Sequence, residues 1–352
     1  MKQKVGFYIS WMDFRGIVNS TYEFAFYNQK ILKNKSIIFY LKSEKSHKKE
    51  IVNKFKKNFK TIGLNKFEDI LRHNINSLYI QKSGNKDNFY FKEKNTLVHA
   101  VFPCAPSNVH GNSYAYISEW LSKTCSNYKI PYVPYIIELD KTNKNLRKKY
   151  KIKNYNLVFG YHGGKDSFNL NFVQEAVVEI VKKRKDIFFI FLNVNQFAKH
   201  QNLIFLKGTF DKNLKTQFIN TCDAMIHARI LGESFGISCA EFALKNKPIL
   251  TYAFSRHRAH FSLLKNDLII YSSKKNLKDI IYNFDRQSFY NLKTSNIIKR
   301  FNAKNVIKIF EKIYLKRLHF NKLTKFDYLK IFYFKILDVY FYIRHKINNY
   351  FQ

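Results

Sequence analysis

The order of apolar runs between residues 156 and 252 constrains the fold of this chain more than any other feature. A short run at Asn156-Leu157-Val158-Phe159-Gly160 breaks into the loop Tyr161-His162-Gly163-Gly164-Lys165-Asp166-Ser167, and an amphipathic stretch at 172–182 follows. Further runs at 187–192, 203–206, 224–227 and 248–252 are interleaved with helical spacing at 211–221 and 237–245. Short apolar runs bounded by turn residues read as buried strands, and the segments between them as helices. Strand and helix in strict alternation predict a doubly wound parallel α/β sheet.

The amino-terminal half follows the same plan. Val5-Gly6-Phe7-Tyr8-Ile9-Ser10 reads as a strand, residues 13–21 as a loop, and a helix is expected from Tyr22, with a second strand at 36–41. A Lys-rich helix at 48–61, a strand at 96–102, a helix at 114–126 and an extended segment at 131–137 come next. A chain of 352 residues is long enough for two domains that each bury a core. The expected division is a Rossmann-like domain at 1–139, a charged linker without apolar periodicity at 140–153, a second Rossmann-like domain at 154–310, and a basic, aromatic, helical tail at 311–352.

In the second half, Gly232-Glu233-Ser234-Phe235-Gly236-Ile237-Ser238-Cys239-Ala240-Glu241 runs on to Lys247-Pro248-Ile249-Leu250. Glu233 falls in a loop and Glu241 inside the helix that opens after Gly236. A helix N-terminus presents unpaired N–H groups and partial positive charge, a natural seat for a diphosphate. Two glutamates at this spacing alone are compatible with solvated helix-start residues; Phe235-Gly236 and the Lys-Pro step make the pattern specific. It resembles the donor-site signature of retaining GT-B glycosyltransferases, the group 1 class of sugar-nucleotide-dependent enzymes. The resemblance rests on residues 155–252 and extends over 1–138 only as architecture.

That resemblance implies a GT-B fold, two Rossmann-like domains facing a cleft. It implies transfer of a sugar from a nucleoside-diphosphate sugar to a glycan, lipid-linked or other hydroxyl acceptor, with retention and with no metal or other cofactor. Glu233 would face the donor sugar, where a carboxylate binds hydroxyls or stabilises an oxocarbenium-like transition state. Glu241 would reach the ribose, and Ser234, Phe235 and Gly236 would form the diphosphate seat. Similar enzymes place an Arg and a Lys in the loop after the first strand of the second domain. Here Gly164 and Lys165 occupy that loop, with Tyr161 where the Arg would be; Arg229 is the candidate to restore the charge, while Arg256 and Arg258 read as solvated. Gly16 corresponds to the glycine loop of the first domain, and is equally compatible with an ordinary turn. His110 corresponds to a first-domain histidine that contacts the donor sugar, or is a loop histidine bonded to nearby backbone.

The formal net charge is +37, which favours anionic partners or reflects a Lys-rich codon bias. The basic-aromatic tail has two readings, an interfacial helix on an anionic membrane and a helix packed back on the protein. Asp327, Lys330, Asp338 and His345 are expected on one face of it, opposite a broad aromatic face. Cys104, Cys125, Cys222 and Cys239 show no metal or disulfide spacing and read as reduced thiols. No DxD motif follows a strand, and the histidines lack ligand spacing. Without a secretory signal or a spanning segment, a cytoplasmic protein is expected, peripheral on the inner face of a membrane if the tail binds lipid. Two other classes stay open: a basic nucleic-acid-binding protein, suggested by the charge, and a catalytically degenerate GT-B scaffold, suggested by Tyr161.

Overall fold

The amino-terminal part forms six parallel strands: β1 (Lys4–Tyr8), β2 (Lys35–Leu41), β3 (Lys60–Leu64), β4 (Ser77–Lys82), β5 (Asn95–Ala100) and β6 (Ser113–Tyr116), in the order β3-β2-β1-β4-β5-β6. The computed structural model describes residues 2–91, 93–289, 291–316 and 322–350. Helices α1 (Gly16–Lys30), α2 (Lys49–Asn58) and α3 (Glu119–Ser126) connect or follow these strands. Phe39, Ile70 and Leu78 are fully buried within one cluster, and Phe67 stacks on Phe91 at 4.7 Å. Burying a side chain of this size contributes roughly 1.5–3 kcal/mol.

The second sheet has the same topology. Strands β7 (Leu157–His162), β8 (Ile187–Leu192), β9 (Leu203–Leu206), β10 (Ala224–His227), β12 (Ile249–Tyr252) and β14 (Leu268–Tyr271) lie in the order β14-β12-β10-β7-β8-β9, all parallel. A two-residue pair, β11 (Gly232–Glu233) with β13 (His257–Arg258), stands outside that sheet. The helices here are α4 (Asn171–Lys183), α5 (Lys212–Thr221), α6 (Ile237–Leu244), α7 (Ala259–Leu264), α8 (Lys274–Tyr282) and α9 (Thr294–Ile298). In both sheets the chain works outward from the first strand, then returns to its other side. The direction reverses between β1 and β4 and between β7 and β10. Such a switch point leaves a crevice outside the carboxyl ends of the two strands.

The chain divides into two compact units, Met1–Ile136 with Phe301–Phe334, and Ile137–Arg300 with Lys335–Gln352. This differs from the expected boundaries. Residues 303–310, assigned from sequence to the second domain, form α10 (Ala303–Phe310) in the first unit. There Val306, Ile307 and Phe310 are fully buried, and Phe310 packs against Phe24 at 5.3 Å and Phe7 at 6.5 Å. The expected linker, 140–153, is fastened to the second unit. The Asp140 N–H donates to Thr216 Oγ1, the Leu146 N–H to Thr221 Oγ1, and Arg147 bonds Asp223 at 2.8 Å.

Three local expectations also change. Helix α1 begins at Gly16, six residues before the expected Tyr22. The Ser20 and Thr21 hydroxyls bond back to the Ile17 carbonyl within the helix. Residues 113–116 form a strand where a helix was expected; Tyr114, Ala115 and Tyr116 are fully buried, and aromatic side chains suit a pleated, covered surface. Finally, β7 runs through Gly160 to His162 instead of breaking there. A side chain at Gly160 would place its Cβ 2.3 Å from the Cys222 sulfur, so glycine is what lets Cys222 pack under the strand.

The tail forms the helix α11 (Lys325–Tyr350), with residues 317–321 and 351–352 of the expected segment outside the described residues. All four cysteines are buried and unpaired. Among the described residues no helix is long and apolar enough to cross a membrane.

Candidate functional site

Strands β7 and β10 end in histidines, His162 and His227, at the switch point of the second sheet. The loops that leave these two ends are tied to each other. The Asn169 N–H donates to the Ala228 carbonyl at 2.9 Å, and Asn169 Oδ1 accepts from the Ile230 N–H. The glycine loop is also held by β8's exit, where Asn193 donates to the Gly163 carbonyl and the Asn195 N–H to the Lys165 carbonyl.

Glu233 is positioned by β11. Gly232 has φ +72, and a Cβ there would lie 2.2 Å from the His257 carbonyl oxygen, so only glycine permits the pairing of β11 with β13. Gly236 caps α6 with φ +92 and turns the chain from Glu233 into the helix. The Glu233 carboxylate lies 3.2 Å from His227 Nε2 and 3.1 Å from an Arg229 nitrogen. Burial alone would raise the Glu233 carboxyl, but the Arg229 charge and the His227 hydrogen bond outweigh it and hold the group down at about 2. Arg229 in turn has its guanidinium raised, chiefly by Glu233.

A relay of polar groups stands behind this pair. His227 Nδ1 is 3.0 Å from Thr251 Oγ1, which is 3.0 Å from His260 Nε2, and the two imidazoles lie 4.7 Å apart. An ionised Glu233 can only accept, so the His227 Nε2 proton points to it. In the neutral imidazole Nδ1 then accepts from the Thr251 hydroxyl, whose oxygen accepts from His260. Burial pushes His260 well below the ordinary histidine range, so it is neutral.

Glu241 sits one helical turn into α6 with its side chain 4 % exposed. Its carboxylate is paired with Lys215 of α5 and lies 3.0 Å from His162 Nε2, too poorly aligned with the latter for a good hydrogen bond. Burial opposes ionisation here too, but Lys215 and His162 prevail and hold Glu241 at about 2. From sequence this carboxylate was expected to reach the ribose; in the structure it pairs with Lys215 and faces His162.

Of the other expected residues, Ser234 and Phe235 are buried beside Glu233, and Ser234 Oγ lies 3.2 Å from His257 Nδ1. Gly164 and Lys165 are exposed on their loop. Tyr161, read as the stand-in for a loop arginine, is 1 % exposed in β7 and gives its hydroxyl to Ser167 Oγ at 2.9 Å. Arg256 and Arg258, read as solvated from the sequence, are both engaged by the protein. Arg256 pairs with Asp338, and Arg258 stacks over Phe261 at 3.7 Å and Phe341 at 4.2 Å, where burial pushes its guanidinium down to about 10.

Gly16 and His110 belong to the first unit. Gly16 is the first residue of α1, so it opens a helix and is not part of a loop. His110 leads into β6 rather than a helix; its Nδ1 lies 2.6 Å from the Asn108 carbonyl and its ring packs between Tyr90 and Tyr114. Sequence reasoning overlooked His162, His227, Lys215, Thr251 and His260. The signal available for two of them was position, since His162 and His227 close the strands that flank the switch point. Among the described residues no three His, Cys, Asp or Glu side chains converge to hold a metal ion.

No family model matches the sequence, and no curated protein matches it. Solved structures do match the fold. A glycosyltransferase from Rickettsia africae superposes with a TM-score of 0.64 at 13% identity, covering 90% of this chain and 98% of that one. HepE from Anabaena, solved in complex with UDP and glucose, gives 0.69 at 11% identity over 90% and 100%. A UDP-GlcNAc 2-epimerase from Neisseria meningitidis, bound to UDP-GlcNAc, gives 0.58 at 10% identity over 90% and 100%. With its two doubly wound parallel sheets and terminal helix, the chain has the GT-B fold that the sequence led us to expect.

Proposed function

We propose that this protein is a glycosyltransferase that moves a sugar from a nucleoside-diphosphate sugar to a hydroxyl acceptor on a glycan or lipid-linked glycan, with retention at the anomeric carbon. The observation that carries this reading is Glu233, a buried carboxylate kept ionised by His227 and Arg229 at a switch point, between a strand end and a helix N-terminus. Sugar transfer develops positive charge at the anomeric carbon and negative charge on the departing diphosphate. An ionised Glu233 favours the first. The exposed Lys165, Arg229 and the N–H groups that open α6 favour the second, in the role a metal ion plays elsewhere. Glu241 with Lys215 forms the nucleotide side of the site. The bound UDP and glucose of HepE, a protein of the same fold, support a nucleotide-sugar ligand.

The test has two stages. A melting-temperature panel with UDP, GDP, ADP, CMP and dTDP identifies the nucleotide, since a ligand of the folded state raises the transition. Turnover of the corresponding sugar donor is then measured with acceptors, with and without EDTA, for the protein and for Glu233→Gln. We expect EDTA to leave turnover unchanged and Glu233→Gln to lower it about a hundredfold or more without loss of fold. Full turnover in Glu233→Gln would sink the reading, as would a donor that is epimerised while no acceptor is glycosylated.

A further inference from the structure

Helix α11 is amphipathic in the opposite sense to a helix that covers a soluble core. Its protein-facing side carries both of its carboxylates, a histidine and an asparagine. In the first unit Asp327 accepts from Asn127 at 2.6 Å and from the Thr324 N–H at 2.7 Å; in the second, Asp338 pairs with Arg256 and Asn348 donates to the Ser272 carbonyl at 2.7 Å. Buried Ile331 and His345 lie on the same side.

The outer side is apolar. Leu329, Phe332, Ile336, Val339, Ile343 and Ile347 recur at helical spacing along one stripe, about 27 Å long at the usual rise per residue. Leu329 is 67 % exposed, Phe332 61 % and Val339 54 %, against 5 % for Ile331. A contiguous apolar ridge on the surface marks a site that something covers.

Charge identifies the occupant. Exposed Lys335 and Lys346 flank the stripe on one side and exposed Arg344 on the other, while Lys330, expected on the face of Asp327, is exposed at the edge of that face. The helix holds two carboxylates, Asp327 and Asp338, and both are engaged on the protein side. Two copies packed stripe to stripe would bring like charges together along both flanks, which disfavours such a pairing. A surface that is apolar within and anionic at its face meets both requirements. The helix does not qualify as a spanning segment. We propose that the outer face of α11 lies along an anionic lipid bilayer, its apolar stripe at the boundary of headgroups and acyl chains and its flanking cations, Lys335, Lys346 and Arg344, on headgroup phosphates.

Flotation of the full chain with vesicles tests this without reference to catalysis. Vesicles of phosphatidylcholine mixed with phosphatidylglycerol should carry the protein up the gradient, and phosphatidylcholine alone should carry much less. The triple variant Phe332→Ser, Ile336→Ser, Ile343→Ser should stay at the bottom while melting as the parent does. Lys335→Gln with Lys346→Gln, which leaves the apolar stripe intact, should weaken binding to anionic vesicles roughly tenfold or more. Equal flotation with both vesicle types, or none with either, overturns the proposal. So does a dimer that the triple variant converts to monomer, since the stripe would then belong to a second copy.

Discussion

Glu241 illustrates what it takes to keep an acid ionised inside a protein. Its carboxylate is buried, and Lys215 and His162 supply the compensation. Replacing it by Gln leaves Lys215, itself only 14 % exposed, as an uncompensated cation, at a cost of about 3 kcal/mol in unfolding experiments. The pH dependence has a definite sign. Glu233 and Glu241 are both depressed from 4.5 to about 2 in the fold, so their contribution is present in full above the unfolded value and is lost as pH falls from 4.5 towards 2. Stability should drop steeply across that window, and Glu241→Gln should flatten the drop. Thr251→Val removes the hydroxyl shared by His227 and His260 and should cost roughly 1–3 kcal/mol. If His227 orients Glu233, the same variant lowers kcat more than it changes KM. Residues of this kind were only partly legible in the sequence. The two glutamates stood out by their neighbours. Lys215 and Thr251 did not, because their partners come from other strands and helices, and only the folded sheet brings them within reach.

At the scale of elements, strands buried on both faces announced themselves, as did the helices between them. From Asn171 onward the expected and observed boundaries agree within a residue or two through β12. The first unit was harder to read. Strand β3 lies partly within what looked like the end of a Lys-rich helix, and β4 carried no signal strong enough to single it out. In both, the deciding influence is pairing with a neighbour, β2 for the one and β1 and β5 for the other, which no local window contains. The element that sets the candidate site is a short one, the two-residue pairing of β11 with β13. Gly232→Ala would press a methyl group into the His257 carbonyl at a positive φ. We expect a loss of more than about 1 kcal/mol in stability and a larger loss in turnover, because Glu233 is the next residue. Wild-type turnover in Gly232→Ala would show that this pairing does not orient Glu233.

For the molecule as a whole, charge was legible at once and its disposition was not. The +37 total suggested nucleic acid as readily as lipid. The structure assigns several of these cations to local work: Lys215 on Glu241, Arg147 and Arg286 on Asp223, Lys274 and Lys278 on Glu179. Binding through unspecific phosphate contacts weakens with salt, so the protein should retain single-stranded DNA in a filter assay at low salt and release it near physiological salt. Tight retention at physiological salt would favour the nucleic-acid reading instead. The return of residues 301–334 to the first unit bears on how the chain is made. Phe7, Phe24 and Tyr79 rest against Phe310, and the Tyr314 hydroxyl bonds the Val98 carbonyl. A ribosome releases β1 to β6 long before those partners exist. The second unit can fold its sheet while it is being synthesised, but the first waits, with an unfinished apolar face, for residues that follow the whole second sheet. The unit begun first thus keeps an uncovered apolar face throughout the synthesis of the second sheet, an interval in which a chaperone would protect it.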